Sequence, residues 1–385
     1  MTLATDHPEI RDAVARLCAD FPGEYWRAKD RDSAYPKEFV DALTRAGYLA
    51  ALIPQVYGGA GLGLSAAAAI LEEIHRSGGN ASACHAQMYT MGAVLRHGSD
   101  EQKQRYLPAI AQGDLRLQAF GVTEPDSGSD TTALTTFARR EGDTYFVSGQ
   151  KIWTSRAAQS DLMLLLARTT PRHEAMKRTD GLSLLLVDMR AANPASLSIR
   201  PLRTMLNHST TEVFFDNLEV PVANRIGEEG HGFRYILCGM NAERILIAAE
   251  CIGDAKWFIA AASKYASERV VFGRPIGQNQ GVQFPIAQAY ARMRSAELML
   301  REATSLYEQG ENPGEEANLA KMLAAEASWA AGEACLQTHG GFGFANEYDI
   351  ERKFRETRLY QVAPVSTNLI LSYIAEHALG MPRSY

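Results

Sequence analysis

Glu243 and Arg244 stand side by side in M-N-A-E-R-I-L-I-A-A-E, residues 240–250, just ahead of an almost wholly apolar run. Asn241 can serve as a helix N-cap and no breaker follows before Gly253, so the spacing predicts a helix on which Glu243 shares a face with Leu246 and Ile247. Moving a carboxylate out of water costs several kcal/mol even after relaxation. Either another group neutralises Glu243 or the site uses its basicity. Arg244 is a poor local neutraliser, because adjacent helical residues point about 100° apart and do not face each other.

Three other stretches carry groups able to handle a ligand. F-G-V-T-E-P-D-S-G-S-D, residues 120–130, packs glycines and hydroxyls where backbone N–H groups can meet a phosphate or the polar edge of a ring. K-I-W-T-S, residues 151–155, places a Trp able to stack on a flat ring beside two hydroxyls. Taken alone, Trp153 reads rather as a sheet-core residue and Ser127 to Ser129 as a plain turn. L-Q-T-H-G-G-F-G-F, residues 336–344, is a glycine-rich close to a helix, followed by the basic R-K-F-R-E-T-R-L-Y. His85, His208 and His339 have no partner in the pattern and read as packed or capping side chains.

The elements that must position these groups change type twice along the chain. From Pro8 to about Gly113, apolar residues recur every three or four positions, as in A-A-A-A-I-L-E-E-I-H, which predicts helices. From about Leu115 to Pro221 the pattern becomes strand-like, with T-Y-F-V-S-G-Q-K-I-W-T alternating and D-L-M-L-L-L-A, G-L-S-L-L-L-V and T-E-V-F-F-D as short apolar runs. From Gly232 onward, Ala-rich helical stretches return, and N-P-G-E-E-A-N, residues 312–318, reads as a helix start whose acids suit the dipole. At 385 residues the chain exceeds one ordinary core and predicts two or three domains. A net charge of -6 without a basic block argues against nucleic acid as the main partner. Five widely spaced cysteines with no CxxC suit reduced thiols and indicate neither a disulfide framework nor a zinc site. The first ten residues lack the features of a signal peptide and no run reaches the ~18 apolar residues of a membrane span, so the expected location is cytoplasmic.

V-T-E-P-x-S-G-S-D, G-Q-K-I-W, F-F-D-N-L-E-V-P, E-R-V-V-F-G-R-P-I and Q-x-x-G-G-F-G-F, in this order over essentially the whole chain, resemble the acyl-CoA dehydrogenase family. The resemblance implies a mainly α fold with a central β domain: a helical N-terminal domain (1–118), a middle β-sandwich or barrel (119–227) and a C-terminal four-helix bundle (228–385). It implies FAD, an acyl-CoA substrate, an electron-transferring flavoprotein as acceptor, and a homotetramer, since flavin contacts from two subunits demand at least a dimer. Carried over by position, Phe120, Val122 and Thr123 line the isoalloxazine, with Thr123 near N1 and O2. Gly128 and Ser129 meet the pyrophosphate or the thioester end, and Trp153, Thr154 and Ser155 fall on the family's Trp-Ile-Thr, which puts the Ser155 hydroxyl near N5. Arg269, Phe272, Gln280, Gln337, Gly340 and Gly341 resemble residues that hold the ADP half from a neighbouring subunit, and Ser366 and Asn368 fall on further FAD-contacting positions.

Most of the family carries its catalytic base as a Glu in a Y-E-G-T segment, and Pro364 occupies that place here. Proline takes no proton and offers no N–H to the thioester carbonyl. The isovaleryl and long-chain types keep the base on another helix immediately before an Arg, a pattern that Glu243 and Arg244 match, with Arg244 near the thioester or another substrate group. The expected reaction is α,β-dehydrogenation of an acyl-CoA, with short or branched acyl groups favoured by that kinship. The alternatives are a same-fold acyl-CoA desulfinase or lyase that keeps FAD as scaffold, and a monooxygenase or a binder without turnover.

Overall fold

The computed structural model describes residues 7–384; residues 1–6 and Tyr385, and with them the first residues of the expected 1–118 domain, lie outside the described part. Six helices come first: α1 (Pro8–Ala19), α2 (Gly23–Arg31), α3 (Lys37–Arg45), α4 (Leu64–Arg76), α5 (Ser82–His97) and α6 (Asp100–Gln112). Eight strands follow: β1 (Leu117–Gly121), β2 (Phe137–Glu141), β3 (Thr144–Ser155), β4 (Leu162–Arg168), β5 (Leu182–Asp188), β6 (Leu197–Pro201), β7 (Thr210–Pro221) and β8 (Arg225–Ile226). The C-terminal part holds α7 (Gly232–Glu268), a small ribbon of β9 (Val270–Val271) and β10 (Arg274–Pro275), then α8 (Gln280–Glu308), α9 (Gly314–His339), α10 (Ile350–Arg358) and α11 (Thr367–Tyr373). The helical, β, helical order read from the periodicity is the observed one.

The chain divides into two compact units, one of Met1–Asp32, Gly63–Ala81 and Asn241–Tyr385, the other of Ser33–Leu62 and Ser82–Met240. In the second unit, β1 to β8 form one mixed sheet in the order β6-β7-β3-β2-β4-β5-β8, with β1 added parallel to β4. Every residue of β4 is buried, because its two faces serve two cores. Leu162, Leu164 and Leu166 pack with residues of α5 and α6, while Met163, Leu165 and Ala167 pack with Tyr145, Val147 and Val213. A continuous apolar run is what such a two-sided strand requires. The alternation of β3 breaks twice against β7, between Val147 and Gly149 and between Lys151 and Thr154. At the first break Gly149 has φ +146, and a Cβ there would lie 2.6 Å from Thr136 Oγ1 and 2.7 Å from Thr136 Cα, so glycine is required.

In the first unit, α9 packs along α8 and α10, and α7 buries Ile245, Leu246, Ile252 and Phe258. The expected helix start at Asn241 is corrected: α7 begins nine residues earlier at Gly232 and runs through both Asn241 and Gly253 for 37 residues. No proline interrupts that span, and Gly253 is retained inside it because α4 crosses there, a Cβ falling 2.3 Å from the Glu72 carbonyl oxygen. Asn241 instead accepts a hydrogen bond from Arg244 Nη1 at 3.0 Å. α9 opens at Gly314 with Glu315 and Glu316 in its first turn, as read from N-P-G-E-E-A-N.

Candidate active site

In the second unit, β1 delivers Phe120, half-buried and edge-on to Tyr89 at 5.8 Å between ring centroids. Beyond it, Val122 and Thr123 are held by the neighbouring strand: Lys151 Nζ donates to the Val122 carbonyl at 2.9 Å and the Ile152 N–H to the Thr123 carbonyl at 2.9 Å. Lys151 is fully buried and also donates to Glu124 Oε1 at 2.8 Å. Glu124 accepts three more bonds, from Thr135 N at 2.6 Å, Thr135 Oγ1 at 2.8 Å and Thr136 N at 2.8 Å. Burial opposes the charge on both partners, lowering Lys151 to about 8. Against the same penalty, Lys151 and these donors hold Glu124 down to about 2. Sequence reasoning quoted both residues inside motifs and gave neither a role.

The glycine-serine loop follows directly. Ser127 is buried, its hydroxyl donating to the Asp130 carbonyl at 2.6 Å, whereas Gly128 and Ser129 are exposed and nothing comes within 4 Å of a Cβ at Gly128. At the second irregularity of β3, Trp153 takes φ 59 and turns outward, 58% exposed, so the reading of this residue as sheet core does not hold. Thr154 points inward, and its buried Oγ1 has no partner among the described residues; Ser155 is half-buried. A flat exposed ring beside an unsatisfied hydroxyl and an open glycine loop fits a planar, phosphate-bearing cofactor. Next along the chain, Arg156, which the sequence did not single out, is buried with Nη2 3.3 Å from His208 Nε2. Burial, then Arg156 and His85, push the His208 imidazole well below its usual value, so it stays neutral and packed.

In the first unit, Glu243 and Arg244 are half-buried on α7 while Leu246 and Ile247 are buried. Burial lowers the Arg244 guanidinium, against the opposing effect of Glu243, and Arg244 Nε has no partner among the described residues. Two turns along, Glu250 is buried and accepts from the Tyr360 hydroxyl at 2.9 Å. It borders a buried polar group: His75 Nδ1 lies 2.8 Å from Asp254 Oδ1, its Nε2 accepts the Ala81 N–H at 3.1 Å, and Lys353 pairs with Asp254. Because Nε2 accepts, Nδ1 carries the proton that bonds Asp254.

The Ala363–Pro364 peptide is cis and Pro364 is half-buried. Buried Lys321 clasps this loop, donating to the carbonyls of Tyr360 at 2.7 Å and Val365 at 2.8 Å. Burial lowers its ammonium to about 8, with Cys251 and Glu243 opposing that shift and Arg244 adding to it. Ser366 caps α11, its hydroxyl accepting the Leu369 N–H at 3.5 Å, and Asn368 is exposed. Farther along this unit, a cleft of about 530 Å³ is lined by Arg269, Gln337, Gly340 and Gly341 together with Tyr265 and His339. The Arg269 guanidinium lies 5.7 Å from the Phe342 ring centroid, and neither Gly340 nor Gly341 has anything within 4 Å of a Cβ position. An arginine fork beside bare backbone suits phosphate oxygens. Phe272, fully exposed with φ 52, and exposed Gln280 lie outside this lining. His339 is buried, and its Nδ1 donates to the Cys335 carbonyl at 2.8 Å, the packed role expected of it. Among the described residues no cluster could hold a metal ion, and no helix is long and apolar enough to cross a membrane.

Comparison with known proteins matches three profiles: acyl-CoA dehydrogenase N-terminal domain over residues 4–114, middle domain over 119–218 and C-terminal domain over 230–379. An acyl-CoA dehydrogenase of Mycobacterium bovis is 32% identical over 98% of this chain and 96% of its own length. A glutaryl-CoA dehydrogenase of Desulfococcus multivorans is 31% identical over 98% of this chain and 96% of its own. A solved glutaryl-coenzyme A dehydrogenase in complex with glutaryl-CoA superposes with a TM-score of 0.91 at 28% identity, covering 100% of this chain and 98% of that one.

Proposed function

The chain belongs to the acyl-CoA dehydrogenase family, and from that premise we propose that Glu243 is its catalytic base. As a member it is an FAD-dependent oxidoreductase that converts an acyl-CoA thioester to the 2-enoyl-CoA. FAD, when bound, supplies the hydride acceptor. Glu243 removes the proton from the carbon next to the thioester as a positioned general base. The observation that carries this reading is the pairing of Glu243, half-buried beside buried Leu246 and Ile247, with a proline at 364 that cannot accept a proton. Glu250, the other carboxylate of the same helix stretch, is already engaged by the Tyr360 hydroxyl. Arg244 contacts the thioester or another polar part of the substrate.

In the same reading Phe120, Val122, Thr123, Trp153, Thr154 and Ser155 hold the isoalloxazine, with the Ser155 hydroxyl toward N5, and Gly128 and Ser129 meet the pyrophosphate or the thioester end. Arg269, Phe272, Gln280, Gln337, Gly340 and Gly341 of a neighbouring copy hold the ADP half in a homotetramer, with Ser366 and Asn368 as further contacts. The N–H of Val365, whose own carbonyl is pinned by Lys321, replaces the donor that Pro364 lacks; an oxyanion donor of this kind is worth ~3–4 kcal/mol in rate. The substrate is a short or branched acyl-CoA, the acceptor an electron-transferring flavoprotein, and the domains divide at 118 and 227.

The test is anaerobic mixing of Glu243→Gln, loaded with FAD, against a panel of acyl-CoA thioesters. The variant is expected to keep FAD and bind thioester while flavin bleaching slows by several orders of magnitude. Bleaching at the wild-type rate would move the base elsewhere. Release of sulfite from a sulfinated thioester without bleaching would replace dehydrogenation with C–S cleavage.

A further inference from the structure

We propose that the buried Lys151–Glu124 pair is a positioning device for the flavin site: through the Val122–Thr123 peptide it aims and strengthens the Thr123 N–H as a donor to the pyrimidine edge of the flavin and thereby raises the flavin's reduction potential. The inference rests on the reading above that Thr123 borders that edge. Lys151 Nζ binds the Val122 carbonyl oxygen at 2.9 Å. The peptide that contains this carbonyl also contains the Thr123 N–H. It is trans, the cis bond of the chain's described part being Ala363–Pro364, so the N–H points away from Lys151. Among the described residues that N–H has no acceptor. The Thr123 carbonyl is held separately by the Ile152 N–H at 2.9 Å, which leaves the segment little freedom to rotate.

A cation on a carbonyl oxygen draws charge through the peptide and makes its N–H a stronger donor, and the low dielectric of a buried site amplifies that effect. Lys151 is itself held in place by Glu124, whose remaining acceptor sites are filled by Thr135 and Thr136, so the ammonium cannot swing away. A strengthened donor at the pyrimidine edge favours the electron-rich reduced ring over the oxidised one. The charged groups facing Lys151 are Glu124 and, acting on the same carboxylate from β4, Arg168.

The experiment is an anaerobic dye-equilibration titration of the FAD-loaded protein, paired with FAD affinity and thermal melting. Lys151→Met alone strands a buried carboxylate, so the double variant Lys151→Met with Glu124→Gln is used, in which the amide carbonyl keeps the two bonds from Thr135 while the bond from Thr136 N is given up. A folded, yellow double variant is expected to prefer reduced over oxidised flavin roughly tenfold less than wild type, which is ~30 mV for a two-electron couple. With Lys151 lowered to about 8, the gap between wild type and variant closes as the pH rises through about 8. An unchanged potential in a folded, FAD-loaded double variant overturns the proposal alone. Wild-type protein that takes up no FAD overturns the flavin reading and the proposal together.

Discussion

Glu124 and Glu243 are carboxylates treated in opposite ways. Glu124, 5% exposed, accepts from a lysine, a hydroxyl and two backbone N–H groups, and is held at about 2. Glu243 sits half-buried on a helix whose next turn is apolar. The contrast teaches that burial by itself does not make a base. A carboxylate surrounded by donors is a fixed anion that organises backbone, whereas Glu243 lies at the edge of an apolar turn with its charge acting on Arg244 and Lys321. Glu250 belongs with the first kind, tied to the Tyr360 hydroxyl beside the His75–Asp254–Lys353 group.

Substitutions at the two sites should separate the two kinds. Glu243→Gln is expected to lose about 10²–10⁴-fold in the rate of flavin reduction, read by stopped flow, with little change in the melting temperature. Loss of stability in place of loss of rate would make Glu243 structural. Lys151→Met should act first on stability, costing about 3–5 kcal/mol in urea unfolding because it leaves the buried Glu124 charge without its cation. A cost below about 1 kcal/mol would show the pair to be dispensable for the fold. Gly149→Ala is expected to cost about 1–3 kcal/mol, since its Cβ would press on Thr136 at a backbone conformation that L residues avoid; an unaltered melt would mean the bulge relaxes freely. Acid should act on Glu124 as well: its stabilisation is complete above the unfolded value of about 4.3 and is lost as pH falls toward about 2, so stability should drop through that window in wild type and less steeply in Glu124→Gln. The smallest effect is Tyr360→Phe, about 1 kcal/mol of stability from the loss of one hydrogen bond to buried Glu250, with flavin reduction preserved. A collapse of activity in that variant would transfer the chemistry to Glu250.

Several elements were legible because a local pattern had one reading. The unbroken L-M-L-L-L-A run of β4 announced a strand, and the acids after Pro313 announced the start of α9. The motif order pointed to the family that the profile matches establish. Other features left no local mark. The true start of α7 was hidden because Asn241 makes a plausible cap by itself and nothing nearby in the chain says that the preceding turns also find packing partners. Trp153 could have been core or surface until the irregularity in β3 turned it outward. Lys321, inside the Ala-rich α9, reads as an exposed charge, yet it is buried with its ammonium on two carbonyls some forty residues away, at Tyr360 and Val365.

From the residues alone came the element types, the order of the three regions, the chemistry that Pro364 cannot perform and the position of the carboxylate proposed to replace it. Those follow from side-chain identity and short-range spacing, which act through steric preference and periodic burial within one element. Which carboxylates are tied into donor networks was decided by the tertiary structure, because neutralisation is a matter of distance. Lys151 reaches Glu124 across 27 positions and Tyr360 reaches Glu250 across 110. Hydrogen bonds of under 3 Å between such partners exist only once the chain has closed on itself.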